Sequence, residues 1–415
     1  MTNRVTLPQL AWHGVQKLVL TLLESWQVDV CNMAGYNSPK LKPVEVKKSI
    51  AGPIGMPPLR EYARDKKEVV ILFDDMARVT RVAEIVPYVL EELADAGIAD
   101  RQIKFIAACG CHGVMNRADF AKKLGEDVLK RFPVYNHSPF DNCVYAGTTK
   151  RGTKVLINAE VMKCDLKIGI GSIVPHLMVG FGGGGKIVLP GVAAYETILA
   201  FHSSRTQTEP GEFKDTVTGM GAYDGNPRRR DINEAAEIAG LDMKIDAVVN
   251  GWGETVGIFA GAPKPAYAAA LEAAQKHYLT TAAKDKDIVI ANTFAKANEA
   301  ISGLMVAFPS VSRKGGDVVL IANAPEGQMT HYLMGPFGNE IGGKLRLQMK
   351  VPPNVNRLII FSEYPEIASK NYLEDTDKVV MMHNWVDVLK LLKERHGPGA
   401  KVAVYPNADI QYIAD

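Results

Sequence analysis

Cysteine, net charge and long apolar runs are all scarce in this chain of 415 residues, and each shortage excludes a class of protein. Five cysteines form an odd and sparse set, unlike the disulfide framework of a secreted domain, so we expect a reducing, cytoplasmic setting. The 48 basic and 46 acidic side chains nearly cancel, which predicts neither nucleic acid nor a membrane surface as a partner. The apolar run at residues 18–23 is too short to span a bilayer. The expected partner is a small molecule, and the composition leaves the oligomeric state open.

Apolar strands alternate with helical patterns in the first part of the chain. The β-branched run VVILF at residues 69–73 is followed by an amphipathic stretch at 81–97 and by a second apolar strand at 103–110. This order of strand, helix and strand implies a right-handed crossover and a parallel sheet. The alternation continues with a helix predicted at 117–131 and strands predicted at 155–161 and 166–173.

The short polar segment AAKDKD, at residues 282–287, is the best candidate for a domain boundary. Helices are predicted before it and strands after it: helices at 231–239 and 265–278, and strands at 287–293, 317–323, 357–362 and 402–406. We predict an α/β fold with two domains, residues 1–280 and 281–415, each an open, mostly parallel sheet flanked by helices. The second sheet should be the smaller, and the active site should lie in the cleft between the domains. Whether the last residues return to the first domain is left open.

Polar side chains follow the predicted strands of the first domain, where doubly wound sheets bind their ligands. They are Asp75 and Arg78 after residues 69–73, His112 after residues 103–110, and His176 after residues 166–173. His202 ends a helical stretch that begins near residue 193. Histidines supply acid and base groups near neutral pH and can ligate metals, so the three histidines predict a shared site.

A run of glycines leads to a lysine between two of these histidines, and it consists of Gly182, Gly183, Gly184, Gly185 and Lys186. Such a loop offers backbone N–H groups and a primary amine to a phosphorylated or covalently tethered ligand. The run matches neither of the common phosphate-binding glycine patterns. Because no GxGxxG pattern follows the first strand, an NAD-dependent enzyme is disfavoured.

Several of these motifs also have another interpretation. Asp75-x-x-Arg78 is also the pattern of a helix N-cap with a surface ion pair. The segment NHSPFD favours a turn residue over a ligand at His137. The stretch Cys109-Gly110-Cys111-His112 is compatible with part of a zinc site, but the chain lacks a second Cys or His pair with zinc spacing.

In combination, the motifs resemble the nickel-dependent lactate racemase family over about residues 69–205. The resemblance rests on Asp75-x-x-Arg78, on Cys109-Gly110-Cys111-His112, and on the block that runs from Pro175-His176 through Gly182–Gly185-Lys186 and Pro190-Gly191 to His202. The intervals between His176, Lys186 and His202 are ten and then sixteen residues, as in the family pattern.

The resemblance implies a cofactor and a reaction. Family members carry a nickel pincer nucleotide, the nickel complex of pyridinium-3-thioamide-5-thiocarboxylic acid mononucleotide. It would be attached covalently to Lys186 through a thioamide, with His202 as the nickel ligand and Gly182–Gly185 beside it. The implied reaction is racemisation or epimerisation of a small 2-hydroxy acid by reversible hydride transfer from Cα to the cofactor. Cofactor-biosynthesis proteins are implied as further partners.

The resemblance also implies roles for the residues that act on the substrate. His112 and His176 would be the acid/base pair on opposite faces of the substrate carbon. Arg78 would hold the substrate carboxylate by a bidentate contact. Asp75 would orient a neighbouring histidine or the cofactor.

The second domain departs from the family pattern, which leaves the substrate open. The family contributes a Gln-x-x-Lys stretch there, whereas residues 292–302 of this chain contain Lys296 and Asn298 without that stretch. Lys296 is the expected substrate contact. One alternative is therefore a racemase of a larger hydroxy acid, such as a sugar acid or a dicarboxylate, with the same cofactor. An alternative of another class is a non-catalytic homologue that binds the cofactor or a nucleotide.

Overall fold

The computed structural model describes residues 3–203, 219–341, 348–364, 368–374 and 376–414. The chain divides into two compact units. The central unit comprises Ser38–Asn250 and Glu254–Gln275. The terminal unit comprises Met1–Asn37, Gly251–Gly253 and Lys276–Asp415.

Strands and helices alternate through both units. The first elements in chain order are β1 (Asn3–Gln9), β2 (Gln16–Leu22), β3 (Gln27–Val30), α1 (Pro43–Ala51), α2 (Leu59–Tyr62), β4 (Val69–Phe73), α3 (Val86–Asp95), β5 (Ile103–Ala107), α4 (Arg117–Leu124), α5 (Glu126–Arg131), β6 (Val134–Asn136), β7 (Cys143–Thr148), β8 (Lys154–Asn158), α6 (Ala159–Met162) and β9 (Leu166–Ser172). They are followed by β10 (Pro175–His176), β11 (Gly180–Phe181), α7 (Tyr195–Ser203), α8 (Pro227–Ile238), β12 (Met243–Val249), β13 (Thr255–Gly261), α9 (Pro263–His277), β14 (Ile288–Asn292), α10 (Leu304–Ala307), β15 (Gly316–Ile321), α11 (Gly335–Glu340), β16 (Val355–Phe361), β17 (Val379–Met382), α12 (Trp385–Lys393) and β18 (Lys401–Tyr405). Short 3-10 helices occupy Val82–Glu84, Asp100–Gln102, Gly184–Ile187, Ala297–Gly303, Phe308–Ser310, Ala368–Tyr372 and Thr376–Lys378.

A six-stranded sheet forms the centre of the central unit, in the order β13, β12, β9, β4, β5, β6. Its strands are parallel except for β13, which runs antiparallel to β12. β4 and β9 are buried along their whole length, as expected for inner strands of a parallel sheet. Ile71, Val89 and Phe105 belong to the core that joins this sheet to α1, α2 and α3.

The terminal unit contains a six-stranded parallel sheet in the order β17, β16, β15, β14, β18, β3. Strand β3, from the N-terminal segment, pairs with β18, with Gln27 opposite Lys401. This pairing explains why residues 1–37 group with the C-terminal part, although the sequence-based prediction placed them in the first domain. The expectation of a smaller second sheet is wrong, because β3 and β17 add to the four strands predicted there.

The predicted α/β class with mostly parallel sheets is confirmed, and the bounds of several predicted elements differ, most clearly those of the helix predicted over 117–131 and the strand predicted over 155–161. The helix predicted over 117–131 is divided into α4 and α5 at Gly125, whose φ of +86° ends α4. The strand predicted over 155–161 ends at Asn158, because the Asn158 side chain caps α6. That strand, β8, pairs with β7 in a separate antiparallel hairpin.

Two further features concern the helices and the cysteines of the described residues. None of the helices in these ranges is both long enough and apolar enough to cross a membrane. Cys31, Cys109, Cys111, Cys143 and Cys164 are free thiols.

We expect Ile71→Ala to destabilise the central unit by about 2–5 kcal/mol, because it opens a cavity in the middle of a fully buried strand. Val44→Ala is the matched control: Val44 is 68% exposed, so its truncation should change the stability by less than about 0.5 kcal/mol. Urea unfolding followed by circular dichroism would measure both variants. Equal shifts of the two midpoints would contradict the assignment of β4 to the core.

Candidate active site

Three neighbouring strands of the central sheet bring predicted site residues to one edge. β5, β4 and β9 lie side by side and run parallel, so their carboxyl ends share that edge. Asp75 and Arg78 follow β4, and His112 follows β5. β9 leads into β10, which contains His176. A doubly wound sheet binds its ligand at such an edge.

Asp75 and His112 are joined by a short hydrogen bond between the ends of β4 and β5. His112 Nδ1 lies 2.6 Å from Asp75 Oδ2, and the His112 and Asp75 side chains are 18% and 9% exposed. Because a carboxylate only accepts hydrogen bonds, Nδ1 of His112 carries a proton, and in the neutral ring the lone pair is therefore on Nε2. The other carboxylate oxygen accepts the N–H of Ala77 at 2.9 Å. Asp75 is therefore fixed itself and orients the histidine.

A buried ion pair holds the segment that carries Asp75 and Arg78. Lys123, on α4, is fully buried, and its Nζ lies 2.8 Å from Asp74 Oδ1 and donates to the Arg78 carbonyl at 2.7 Å. Asp74 Oδ2 accepts the N–H of Ser172 at 3.2 Å, which connects the ends of β4 and β9. Burial lowers the pKa of Lys123, while the charge of Asp74 opposes that shift.

His176 lies in a short hairpin after β9. It pairs with Gly180 through the β10 and β11 strands. The backbone N–H of Met178 donates to His176 Nδ1 at 3.2 Å. In the neutral ring, this contact places the proton on Nε2, the state opposite to that of His112.

His202, in the last turn of α7, is held as a neutral imidazole. Its Nδ1 donates to the Ile198 carbonyl at 2.7 Å, so Nε2 keeps the lone pair. Burial lowers the pKa of His202 to about 4, and the positive charges of Lys186 and Arg228 add to that shift. This is the usual state of a histidine that ligates a metal.

Lys186 is partly buried and lies on a short 3-10 helix directly after the glycine run. Gly183 and Gly184 have φ values of +69° and +56°, which favour glycine. A Cβ at Gly183 would lie 2.6 Å from Asp246 Oδ1, and one at Gly184 would lie 2.5 Å from Tyr267 Cδ2. Both positions therefore need glycine for close packing as well as for backbone conformation.

The backbone N–H groups of the glycine run are partly used inside the protein. Gly182 donates to the Val174 carbonyl at 2.7 Å. Gly184 donates to both carboxylate oxygens of Asp246, at 3.1 and 3.0 Å. The N–H groups of Gly182 and Gly184 are thus engaged within the protein, and the predicted role of Gly182–Gly185 beside the cofactor stays a prediction.

The geometry gives no support to a zinc site at Cys109-Gly110-Cys111-His112. Burial raises the pKa of Cys111 to about 12 and raises that of Cys109 well above its usual value, so both are thiols at neutral pH. Within the described ranges, no group of three or more His, Cys, Asp or Glu side chains is placed to hold a metal ion.

His137 is a core histidine. It is 1% exposed, its Nε2 donates to the Ala193 carbonyl at 2.8 Å, and its Nδ1 accepts from Asn158 Nδ2 at 3.2 Å. Burial lowers its pKa to about 4. Both ring nitrogens are used within the fold, so His137 is a structural residue of the interior, in the loop after β6.

Lys296 belongs to the terminal unit, where it follows β14 and is buried. Its backbone N–H donates to Asp409 Oδ2, which also accepts the N–H of Phe294 at 3.0 Å. Burial raises the pKa of Asp409, and the charge of Lys296 opposes that shift. These contacts lie within one unit, and the predicted contact of Lys296 with a substrate stays a prediction.

Sequence reasoning missed several buried charges around the site, namely Asp74, Lys123, Arg229, Lys244 and Asp246. Lys123 and Arg229 lie in helical stretches, where a charged residue is usually exposed. Lys244 and Asp246 lie inside the apolar strand β12, and two charges within an apolar run are the sequence feature that could have revealed them. A charge within a buried strand must be paired, so the pair itself was predictable but its partner in the glycine run was not.

The N-terminal domain model of lactate racemase matches residues 13–214 of the chain. The chain is 28% identical to the lactate racemase of Lactiplantibacillus plantarum over 403 residues, which cover 91% of this chain and 92% of that protein. It is 30% identical to the lactate racemase of Thermoanaerobacterium thermosaccharolyticum over 290 residues, which cover 68% of this chain and 66% of that protein. The chain belongs to the lactate racemase family.

Solved structures share the fold of this lactate racemase family member. The lactate racemase apoprotein from Thermoanaerobacterium thermosaccharolyticum aligns over 100% of both chains with a TM-score of 0.75 and 24% identity. A protein from Thermotoga maritima aligns over 91% of this chain and 100% of its own, with a TM-score of 0.65 and 19% identity. Family membership makes the chain a racemase-type isomerase.

We expect Gly184→Ala to destabilise the lactate racemase family member more than Gly97→Ala. Both glycines have positive φ, +56° and +85°, so both variants carry backbone strain of about 1 kcal/mol. At Gly184 the new Cβ also meets Tyr267 at 2.5 Å, whereas nothing lies within 4 Å at Gly97. The clash should add about 1–3 kcal/mol, measured by urea unfolding. Equal losses of stability would contradict the close packing of the glycine run.

We expect the stability of the fold to decrease as the pH falls from about 6.5 towards 4, because His137 must be neutral in the core. Its folded pKa of about 4 lies below the unfolded value of about 6.5, so protons bind preferentially to the unfolded chain in this window. The full shift corresponds to a free energy on the order of 3 kcal/mol. His137→Gln should reduce this pH dependence in thermal unfolding. An unchanged pH profile in the variant would contradict the assignment.

Proposed function

We propose that this lactate racemase family member racemises a small 2-hydroxy acid and carries a nickel pincer nucleotide on Lys186. The observation that supports this proposal most directly is that His112 and His202 each engage Nδ1 within the protein, with Asp75 Oδ2 at 2.6 Å and with the Ile198 carbonyl at 2.7 Å, which leaves Nε2 of each ring for a substrate or a metal. Lactate is the first substrate to test, because both relatives compared above are named lactate racemase.

The central unit fits this cofactor through the chemistry of its donors. His202 presents Nε2 of a neutral imidazole, which suits a divalent nickel ion. Lys186 presents a primary amine, the group needed for covalent attachment. The glycines that precede it pack closely against the rest of the protein, which holds the attachment point at a fixed position. Lys186 would therefore hold the nucleotide and His202 its metal.

The cofactor, when bound, would supply a hydride acceptor for the Cα–H of the substrate. That Cα–H, beside a carboxylate, is a very weak acid, and two histidines alone do not stabilise the carbanion that direct deprotonation would give. The substrate hydroxyl proton is the easier target. We therefore assign the acid and base groups of the protein, His112 and His176, to proton transfer at the substrate hydroxyl.

His112 is suited to accept the hydroxyl proton. Its Nδ1–H is engaged by Asp75 at 2.6 Å, so the base is Nε2. The Asp75 carboxylate stabilises the imidazolium that forms when Nε2 is protonated. Asp75 thus sets the tautomer of His112.

His176 complements His112 because its neutral ring carries the proton on Nε2. One histidine is therefore ready to accept a proton and the other to donate one. These roles exchange when the opposite enantiomer reacts, and racemisation requires this because both enantiomers are substrates. We assign the two histidines to opposite faces of the substrate carbon.

Arg78 is assigned to the substrate carboxylate. Its backbone N–H donates to the Asp75 carbonyl at 3.2 Å, its carbonyl accepts from Lys123, and its Nη1 donates to the Ala77 carbonyl at 2.7 Å. The guanidinium has further N–H donors, and its planar geometry suits a carboxylate. The segment from Asp75 to Arg78 would therefore hold the substrate carboxylate, through Arg78, at a fixed position relative to the base His112, which Asp75 orients.

Enzyme produced together with the cofactor-biosynthesis proteins should convert L-lactate to a mixture of both enantiomers, measured by chiral chromatography. Lys186→Arg keeps the positive charge but removes the primary amine for attachment, and should abolish the conversion. A parallel assay with a sugar acid and with malate tests the alternative of a larger substrate. Loaded enzyme that leaves every acid unchanged would contradict the proposal and favour the non-catalytic homologue.

We expect Asp75→Asn to lower kcat by roughly 100-fold or more, because the amide no longer enforces the His112 tautomer or stabilises the imidazolium. Covalent loading and nickel content should stay at the wild-type level, measured by intact mass and metal analysis. The control is Asp127→Asn, since the Asp127 side chain is 94% exposed and lies on α5. A wild-type kcat in Asp75→Asn would show that Asp75 does not orient the base.

A further inference from the structure

We propose that Arg229 and Asp246 are positioning residues that hold the glycine run from two sides and so set the position of Lys186 for cofactor attachment. The inference rests on the proposed function. Both side chains bind backbone groups of the glycine run that precedes Lys186, so both would act through the backbone.

Arg229, on α8, binds the carbonyl groups of the glycine run. Its Nη1 donates to the Gly183 carbonyl at 3.2 Å, and its Nη2 donates to the carbonyls of Gly183 and Gly182 at 3.1 and 3.3 Å. The guanidinium carbon lies 3.8 Å from the ring centre of Tyr267, a cation–π contact. Arg229 is 2% exposed, so these contacts take place in the interior.

Asp246, on β12, binds an N–H group of the same run. Both of its carboxylate oxygens accept the N–H of Gly184, at 3.1 and 3.0 Å. Lys244, two residues earlier on the strand, balances the charge with its Nζ 2.7 Å from Asp246 Oδ1. The two side chains of this pair are fully buried.

These buried charges are costly, which indicates a role beyond stability. Moving such ions out of water costs several kcal/mol each, and well-packed apolar residues often stabilise a core as well or better. The charges fix the backbone conformation of the glycine run, which has no side chains to hold it in place. Arg229 supplies hydrogen-bond donors to its carbonyl groups, and Asp246 supplies acceptors to an N–H group. Gly183 and Gly184 would otherwise be free to leave their positive φ values.

The backbone connects these contacts directly to Lys186. The Lys186 N–H donates to the Gly183 carbonyl at 3.3 Å, the same carbonyl that Arg229 binds. On the other side, the Lys186 carbonyl accepts the N–H of Gly191 at 3.1 Å. A change at Arg229 therefore moves the backbone that carries the attachment amine.

The test compares Arg229→Met and Arg229→Lys with Arg230→Met, in protein produced together with the cofactor-biosynthesis enzymes. Arg230 is the exposed neighbour on α8 and serves as the matched control. We expect the fraction of chains with a covalent mass increment to fall about tenfold in the Arg229 variants, because a small displacement of a reacting group is costly. Arg230→Met should load like the wild type. Wild-type loading in a folded Arg229 variant would overturn the proposal.

A second readout needs no cofactor. The rate at which an amine-reactive ester acylates Lys186 would be followed by peptide mapping in cofactor-free protein, relative to the exposed Lys150. We expect a several-fold change in Arg229→Lys and none in Arg230→Met. If Arg229→Met does not fold, as judged by circular dichroism, Arg229→Lys decides both readouts, because lysine keeps the charge but not the planar fork.

The two readouts separate this inference from the proposed function. A wild-type protein that never acquires the adduct would contradict the proposed function. The acylation rates would then still decide the positioning role: an unchanged rate at Lys186 in Arg229→Lys overturns it, and an altered rate supports it.

Discussion

The hydrogen bond between Asp75 and His112 joins the ends of β4 and β5, and the proposed chemistry depends on it. It fixes the proton on Nδ1 of His112 and thereby makes Nε2 the base. The bond forms because β4 and β5 are adjacent and parallel, so the residues that follow them emerge at the same edge. β9 is the other neighbour of β4 and runs parallel to it, so the segment with His176, which follows β9, begins at the same edge of the sheet.

Buried charges hold the backbone around this edge. Lys123 and Asp74 fix the segment that carries Asp75 and Arg78, while Arg229 and Asp246 fix the glycine run before Lys186. Buried ion pairs are weak sources of stability, because desolvation offsets most of the attraction between the charges. Lys123, Arg229 and Asp246 share another property: each forms hydrogen bonds with backbone groups of the segments that carry the proposed site residues. The central unit thus places its proposed reactive side chains on loops whose backbones are fixed from within.

The fold and the proposed site differ in how far the sequence predicted them. Strands such as β4 and β9 were predictable because buried parallel strands are continuous apolar runs. Strand β3 was not, since it is a short edge strand whose partner, β18, lies at the other end of the chain. Asp75 and His112 were found from their positions after strands, but Arg229 was not, because only the fold shows that its helix packs on the glycine run. The glycines were interpreted as cofactor contacts, and only the fold shows that Gly183 and Gly184 also pack closely against Asp246 and Tyr267.

The most direct test of the account is to locate the cofactor on the chain. Protein produced together with the pincer-synthesis enzymes would be digested, and the peptides would be mapped by mass spectrometry alongside nickel analysis of the intact protein. The account predicts a covalent increment on the peptide that contains Lys186, with near-stoichiometric nickel in the intact protein. An increment on a different lysine, or fully folded protein with neither increment nor nickel under these conditions, would contradict it.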